Sequence, residues 1–232
     1  QESFVNFVQQ VKKTKTVCEQ IFRSLDNLIK SRFIEMFGNK NWKKDTLESL
    51  LLPGVGLPYG IVQPGDEYDG GTPIIRPVDI IGGTADICKL KHTDPQISEA
   101  YKRTILNGNE ILVTVRATIG RTMITDERYK GMNVTRGVAV IRYNPEKING
   151  HFLNEYLNSF DSQRYFINNS KGATLKGLNL DLLRKMEIII PPVHLQEEYI
   201  SFVTQVDKSK FLWPRSFGSR SADFLAFCRR LF

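Results

Sequence analysis

Two hydrophobic periods divide the chain. Phe4, Val8, Val11, Cys18, Phe22, Leu25, Ile29 and Met36 recur at steps of three and four, with Lys15 and Arg32 filling the gaps. That spacing lines one face of an α-helix and predicts a single helix over residues 1–37. Gly38 and Asn39 follow as a C-terminal stop, because glycine takes the left-handed cap without a steric penalty. At 1.5 Å per residue such a helix is about 55 Å long. An apolar stripe sustained over that length calls for a partner helix. Phe4, Val8, Val11, Phe22, Leu25 and Ile29 are therefore the expected helix-pairing surface.

From Trp42 the pattern changes to short strands and turns. Prolines and glycines break the backbone between Leu52 and Pro73. Thr72–Ile81 reads as a strand that Pro73 and Pro77 push to an edge or a bulge. Asp94 caps a helix that opens with Pro95 and runs to about Thr104. Glu110–Val115 and Gly120–Thr125 read as strands around a short connection, and Met132–Tyr143 as a further β-rich run. Ile148–Ser159, Asp161–Asn168 and Leu180–Lys185 predict helices, and Met186–Ile190 a buried strand. Pro191 and Pro192 close this region. The expected fold class is α+β: one globular domain of mixed strands and helices, 39–190, attached to long coiled-coil-forming helices, the first over 1–38.

The opening helix returns near the other end. Gln1–Lys15 and Gln196–Lys210 align without gaps at 8 identical positions of 15. A repeat of such long period marks one structural unit used twice, so 191–210 is expected to begin a second helix of the same kind. Beyond Lys210 the repeat fails, and Pro214 breaks the helical pattern. The divergent tail, 211–232, is either a different natural ending or the scar of a truncation or frameshift.

Composition adds direction. With 232 residues, 41% hydrophobic and 25% charged, the chain has the balance of an ordinary globular protein. Its net charge of +7 favours a polyanionic partner. The 3 cysteines are far apart and form no CxxC pair, which argues against a disulfide framework and a zinc site. No apolar run approaches the roughly 18–20 residues of a membrane span. A cytoplasmic protein with no membrane partner is the expectation.

Catalytic motifs are missing. His92, His151 and His194 are isolated and lack HExxH spacing. The glycine-rich stretch 53–71 contains no GxxxxGK[ST] phosphate loop. Asn144-Pro145 lacks the following Pro-aromatic pair of an amino-methyltransferase, and no acidic pair has the spacing of a metal-dependent nuclease. What stands out instead is a set of basic, hydroxyl-rich loops. Residues 115–121 (VRATIGR) offer Arg116, Thr118 and Arg121, and residues 132–137 (MNVTRG) offer Asn133 and Arg136. Residues 171–179 (KGATLKGLN) offer Lys171, Thr174 and Lys176, and Arg76 adds a further cation. Arginine can grip a guanine edge with two hydrogen bonds and asparagine an adenine edge, while lysine and threonine serve phosphates. These nine residues are the candidate DNA-binding set.

The ending KGATLKGLNLDLLRKMEIIIPPVHLQEEYISFV and the block NGNEILVTVRATIGRT resemble the specificity (S) subunit of type I restriction–modification systems. The resemblance spans residues 1 to about 210, and the long-period repeat is part of it. It implies a target recognition domain that reads one half of a bipartite site in double-stranded DNA, with paired helices acting as a ruler. It further implies that the helices dock adenine-methyltransferase (M) subunits and that restriction (R) subunits join for cleavage. The chain itself is then non-catalytic and holds no cofactor or metal, since S-adenosylmethionine and ATP belong to the partner subunits. One recognition domain is present where the family carries two. That implies either a half-subunit that forms a homodimer through its helices or part of a longer parent. The rival reading is a scaffold protein that binds no DNA and uses the repeated helices only for assembly.

Overall fold

The computed structural model describes residues 2–38, 40–171 and 177–211. In chain order it contains α1 (Glu2–Phe37), β1 (Lys44–Thr46), β2 (Thr72–Ile75), β3 (Lys91–Thr93), α2 (Pro95–Ala100), β4 (Ile111–Thr114) and β5 (Thr122–Ile124). There follow β6 (Asn133–Val134), β7 (Val138–Ile141), α3 (Gly150–Leu157), α4 (Phe160–Asn169), β8 (Ser170–Lys171) and β9 (Gly177–Leu178). The last described elements are α5 (Leu180–Arg184), β10 (Glu187–Ile189) and α6 (Val193–Phe211). The chain divides into two units, one running from Trp42 to Val193 and the other formed by the helical segments up to Asn41 and from His194 onward.

In the helical unit, α1 and α6 pack through their aromatic residues. Phe33 and Phe37 both meet the Tyr199 ring edge-on, with centroids 5.5 Å apart. Arg32, which interrupts the apolar seam in the sequence, pairs with Glu198 at 2.8 Å and lies over the Phe202 ring. The interruption is thus a contact with α6. Ile29 is buried within the chain itself, so it is not available to a second copy as the seam suggested. Phe22 and Leu25 are half-buried. The side chains of Phe4, Val8 and Val11 lie outside the described residues. A different line on α1, formed by Val17, Ile21 and Leu28, is exposed at 44%, 44% and 47%. No helix among the described residues is long and apolar enough to cross a membrane.

The second unit is built on two three-stranded sheets, ordered β5-β4-β7 and β3-β2-β6. Every residue of β4 (ILVT) and β7 (VAVI) is buried, and burying each such aliphatic side chain contributes about 1.5–3 kcal/mol. Leu112, Val138 and Val140 from the first sheet share one core with Ile75 and Val134 from the second, and with Tyr129. The Tyr129 hydroxyl donates to the Ala85 carbonyl at 2.9 Å, so this buried phenol is satisfied. A two-stranded ladder, β1 with β10, joins the start of the unit to its end.

Two strand expectations change. Thr72–Ile81 shortens to Thr72–Ile75, because Arg76–Asp79 is a tight turn with Pro77 at its second position. Nor is β2 an edge strand, since it lies between β3 and β6. Proline is tolerated there because β6 pairs only with Ile74 and Ile75, which leaves no ladder bond on that side at Pro73.

Candidate nucleic-acid interface

The 115–121 and 132–137 loops meet the described end of the 171–179 loop where β4 ends. The Val115 amide donates to the Gly137 carbonyl at 2.8 Å, and the Leu178 amide donates to the Val115 carbonyl at 2.9 Å. Arg116 forms an antiparallel bridge with Gly177. One residue of the 115–121 loop thereby carries the 134–137 turn on one side and the base of the β8–β9 hairpin on the other. The turn after β2 completes the junction. A Cβ on Gly137 would come within 2.4 Å of Pro77 Cγ, so glycine is what lets these two loops close.

Two guanidinium groups are left open at this junction. Arg116 and Arg136 are exposed, and neither side chain has a hydrogen-bond or ion-pair partner among the described residues. Their backbones are held. The Arg136 amide donates to the Ile61 carbonyl at 2.8 Å, and the preceding Thr135 amide to the Ile75 carbonyl at 3.0 Å. Fixed main chain with an uncommitted cation at its tip is the arrangement suited to an external anion or a base edge.

The other candidates have internal roles. Arg76 grips Asp79 through Nε at 2.9 Å and Nη2 at 2.8 Å, while its own amide donates to the same carboxylate at 2.8 Å. That carboxylate raises the arginine pKa above its ordinary value, and the pair stiffens the turn instead of presenting a free cation. The Thr118 hydroxyl donates to the Pro77 carbonyl at 3.0 Å. Arg121 Nη1 donates to the Ile80 carbonyl at 3.0 Å. Both of these brace the 115–121 loop.

Asn133 is a correction. It is fully buried and cannot reach an adenine edge. Its Oδ1 accepts from the Thr104 hydroxyl at 2.7 Å and the Val134 amide at 2.8 Å, and its Nδ2 donates to Ser98 Oγ at 3.0 Å. Each of these bonds satisfies a buried polar group that would otherwise cost about 1–3 kcal/mol, so its work is to tie β6 to α2. The backbone of Lys171 lies in the β8–β9 hairpin, opposite Gly177. Thr174, Lys176 and the side chain of Lys171 lie outside the described residues.

Three residues at the junction were not singled out in the sequence: Pro77, Thr114 and Gln163. Thr114 accepts the Arg121 amide on its hydroxyl at 2.9 Å, and that hydroxyl donates to the Thr118 carbonyl. Gln163 Nε2, from α4, donates to the Gly120 carbonyl at 2.9 Å. A threonine at a strand end before a loop was the one available signal, because its hydroxyl can bond local backbone. Among the described residues no group of His, Cys, Asp and Glu could hold a metal ion.

Comparison with known proteins gives a consistent picture. Residues 64–212 match the family described as Type I restriction modification DNA specificity domain. Over 167 residues the chain is 33% identical to the type I restriction enzyme EcoBI specificity subunit of Escherichia coli, covering 72% of this chain and 35% of that protein. The crystal structure of the HsdS subunit from Thermoanaerobacter tengcongensis aligns with a TM-score of 0.56 at 16% identity, over 94% of this chain and 52% of that one. A chain from a type I R-M system, solved to explain its complex assembly and conformational transition, aligns with a TM-score of 0.59 at 16% identity, over 97% and 54%. At that identity the structural likeness is one of fold. The chain spans 35% of the curated relative and about half of the solved chains.

Proposed function

The chain belongs to the type I restriction–modification DNA specificity domain family, and we propose that its Trp42–Val193 unit reads one half of a bipartite site in double-stranded DNA. The observation that carries this reading is the junction of loops at the end of β4, where Arg116 and Arg136 stand exposed and unpaired among the described residues on backbone that is itself hydrogen-bonded. A guanidinium presented this way can donate two hydrogen bonds to guanine O6 and N7, worth about 1–3 kcal/mol of discrimination. The net charge of +7 adds the sequence-independent attraction to phosphates.

The chain on this reading is non-catalytic. It lends sequence choice to methyltransferase and restriction subunits, which bring S-adenosylmethionine and ATP and dock on its helices. Two copies pair through α1, whose exposed Val17, Ile21 and Leu28 offer an apolar line for the purpose. Two recognition units on one rod multiply their specificities when the spacing suits both half-sites.

The test is adenine methylation mapped genome-wide in cells expressing this chain with a matching methyltransferase subunit. A palindromic bipartite motif is expected, because a homodimer reads the same half-site twice. An asymmetric motif would keep DNA recognition but replace the homodimer with a second, different recognition unit. Absence of methylation, together with absence of salt-dependent DNA affinity, would leave the scaffold reading in its place.

A further inference from the structure

Ala117 is the one non-glycine residue with positive φ among the described residues, at +59°. Residues with a Cβ seldom adopt this conformation, and they keep it only where the surroundings over-determine it. Here the surroundings are a clamp on the residues that follow. From one side, the Pro77 carbonyl takes the Thr118 hydroxyl at 3.0 Å and the Ile80 carbonyl takes Arg121 Nη1 at 3.0 Å. From the other side, Gln163 Nε2 donates to the Gly120 carbonyl at 2.9 Å and to the Leu157 carbonyl at 2.8 Å. Asn158 Nδ2 donates to Thr122 Oγ1 at 2.6 Å. Gly120 has φ +89°, and a Cβ there would lie 2.7 Å from Gln163 Oε1, so only glycine admits the amide this closely.

The clamp stops at Thr118. Arg116, on the other side of the strained residue, has no side-chain partner among the described residues. We propose that Gln163 is a positioning residue for base recognition: by holding Gly120 it keeps Ala117 left-handed, and so, together with the bridge to Gly177 on the preceding side, fixes the direction in which Arg116 leaves the sheet. The inference rests on the DNA reading proposed above and deepens it. A bidentate grip on a base edge requires the guanidinium plane to meet that edge, whereas phosphate contacts tolerate a loose root. Loosening the turn therefore lowers discrimination at one base position and leaves general affinity in place.

The experiment is selection of bound duplexes from a randomised library by the full chain, with the wild type, Arg116→Ala, Gln163→Met, the double variant and Ala117→Gly. Gln163→Met removes both donors while keeping the length of the side chain. Melting temperatures are recorded in parallel. The base position that Arg116→Ala blurs is expected to lose about tenfold in discrimination with Gln163→Met, with the other positions unchanged. Ala117→Gly, which relaxes the turn from its other end, is expected to blur the same position. In the Arg116→Ala background Gln163→Met should change discrimination no further, while it lowers the melting temperature equally in both backgrounds.

A Gln163→Met chain that loses melting temperature alone, or that weakens all positions alike, overturns the positioning role and leaves DNA recognition standing. An Arg116→Ala chain with the wild-type motif removes Arg116 as a reader and the inference with it. A wild type that enriches no motif overturns the DNA reading itself.

Discussion

The two ends of β4 use arginine in opposite ways. At its start, Glu110 is fully buried and accepts from the amides of Asn107 and Gly108 at 2.8 and 3.0 Å, from the Thr125 hydroxyl at 3.0 Å and from Arg142 Nε at 3.2 Å. The remaining Arg142 donors go to the carbonyls of Arg103 and Ile105, at 2.6 and 2.7 Å. That guanidinium is consumed by the fold. Past the other end of the strand, six residues and about 20 Å away at the strand rise per residue, Arg116 has its backbone fixed and its side chain unmatched among the described residues. The same residue type builds a core at one end and a surface at the other. What separates them is whether carboxylates and carbonyls lie within reach, a property of the packed chain and not of the residue.

The contrast can be broken at either end. The largest effect is expected from Glu110→Ala, which strands the nearly buried Arg142 charge and should lower unfolding free energy by about 3–5 kcal/mol, read from the urea midpoint. Remaining folded molecules should select the same DNA motif. Arg116→Ala should do the reverse, with an unchanged midpoint and a loss of about 1–3 kcal/mol in discrimination at one base position, measured by competition binding. A shift of both quantities in either variant would erase the division between the two ends. Arg76→Ala sharpens it with the smallest effect. Although Arg76 lies beside the junction, its guanidinium is bound to Asp79 and partly exposed, so about 0.2–1 kcal/mol of stability should be lost and no base preference altered. A changed preference would mean that the Arg76–Asp79 pair opens to meet DNA.

These particulars also show what the sequence could carry. The helical period of residues 1–37 and the strand pattern before and after the 115–121 connection were readable because each depends on local spacing, whereas the meeting of the basic loops depends on contacts between distant stretches. Asn133 was not readable as a core residue. An amide advertises hydrogen-bonding capacity without direction, and the partners that absorb it, Ser98 and Thr104, come from about thirty residues earlier. The pairing of Arg76 was hidden for a similar reason, because its bond to Asp79 depends on a tight turn that the strand-like spelling around it concealed. Pro73 in a central strand was hidden by the brevity of β6, a length that no propensity sets. Gln163 carries no motif at all, and it matters only because α4 is packed against Gly120.

The ladder between β1 and β10 has a kinetic consequence. It pairs Lys44 with Ile189 and Thr46 with Glu187, strands separated by about 140 residues, and contacts of such separation form late because chain closure must precede any gain from pairing. On a ribosome extending the chain at about 5–20 residues per second, the first strand of the domain waits for its partner for roughly ten seconds or more. Throughout that interval β1 is an unclosed edge, open to pairing with a neighbouring nascent chain.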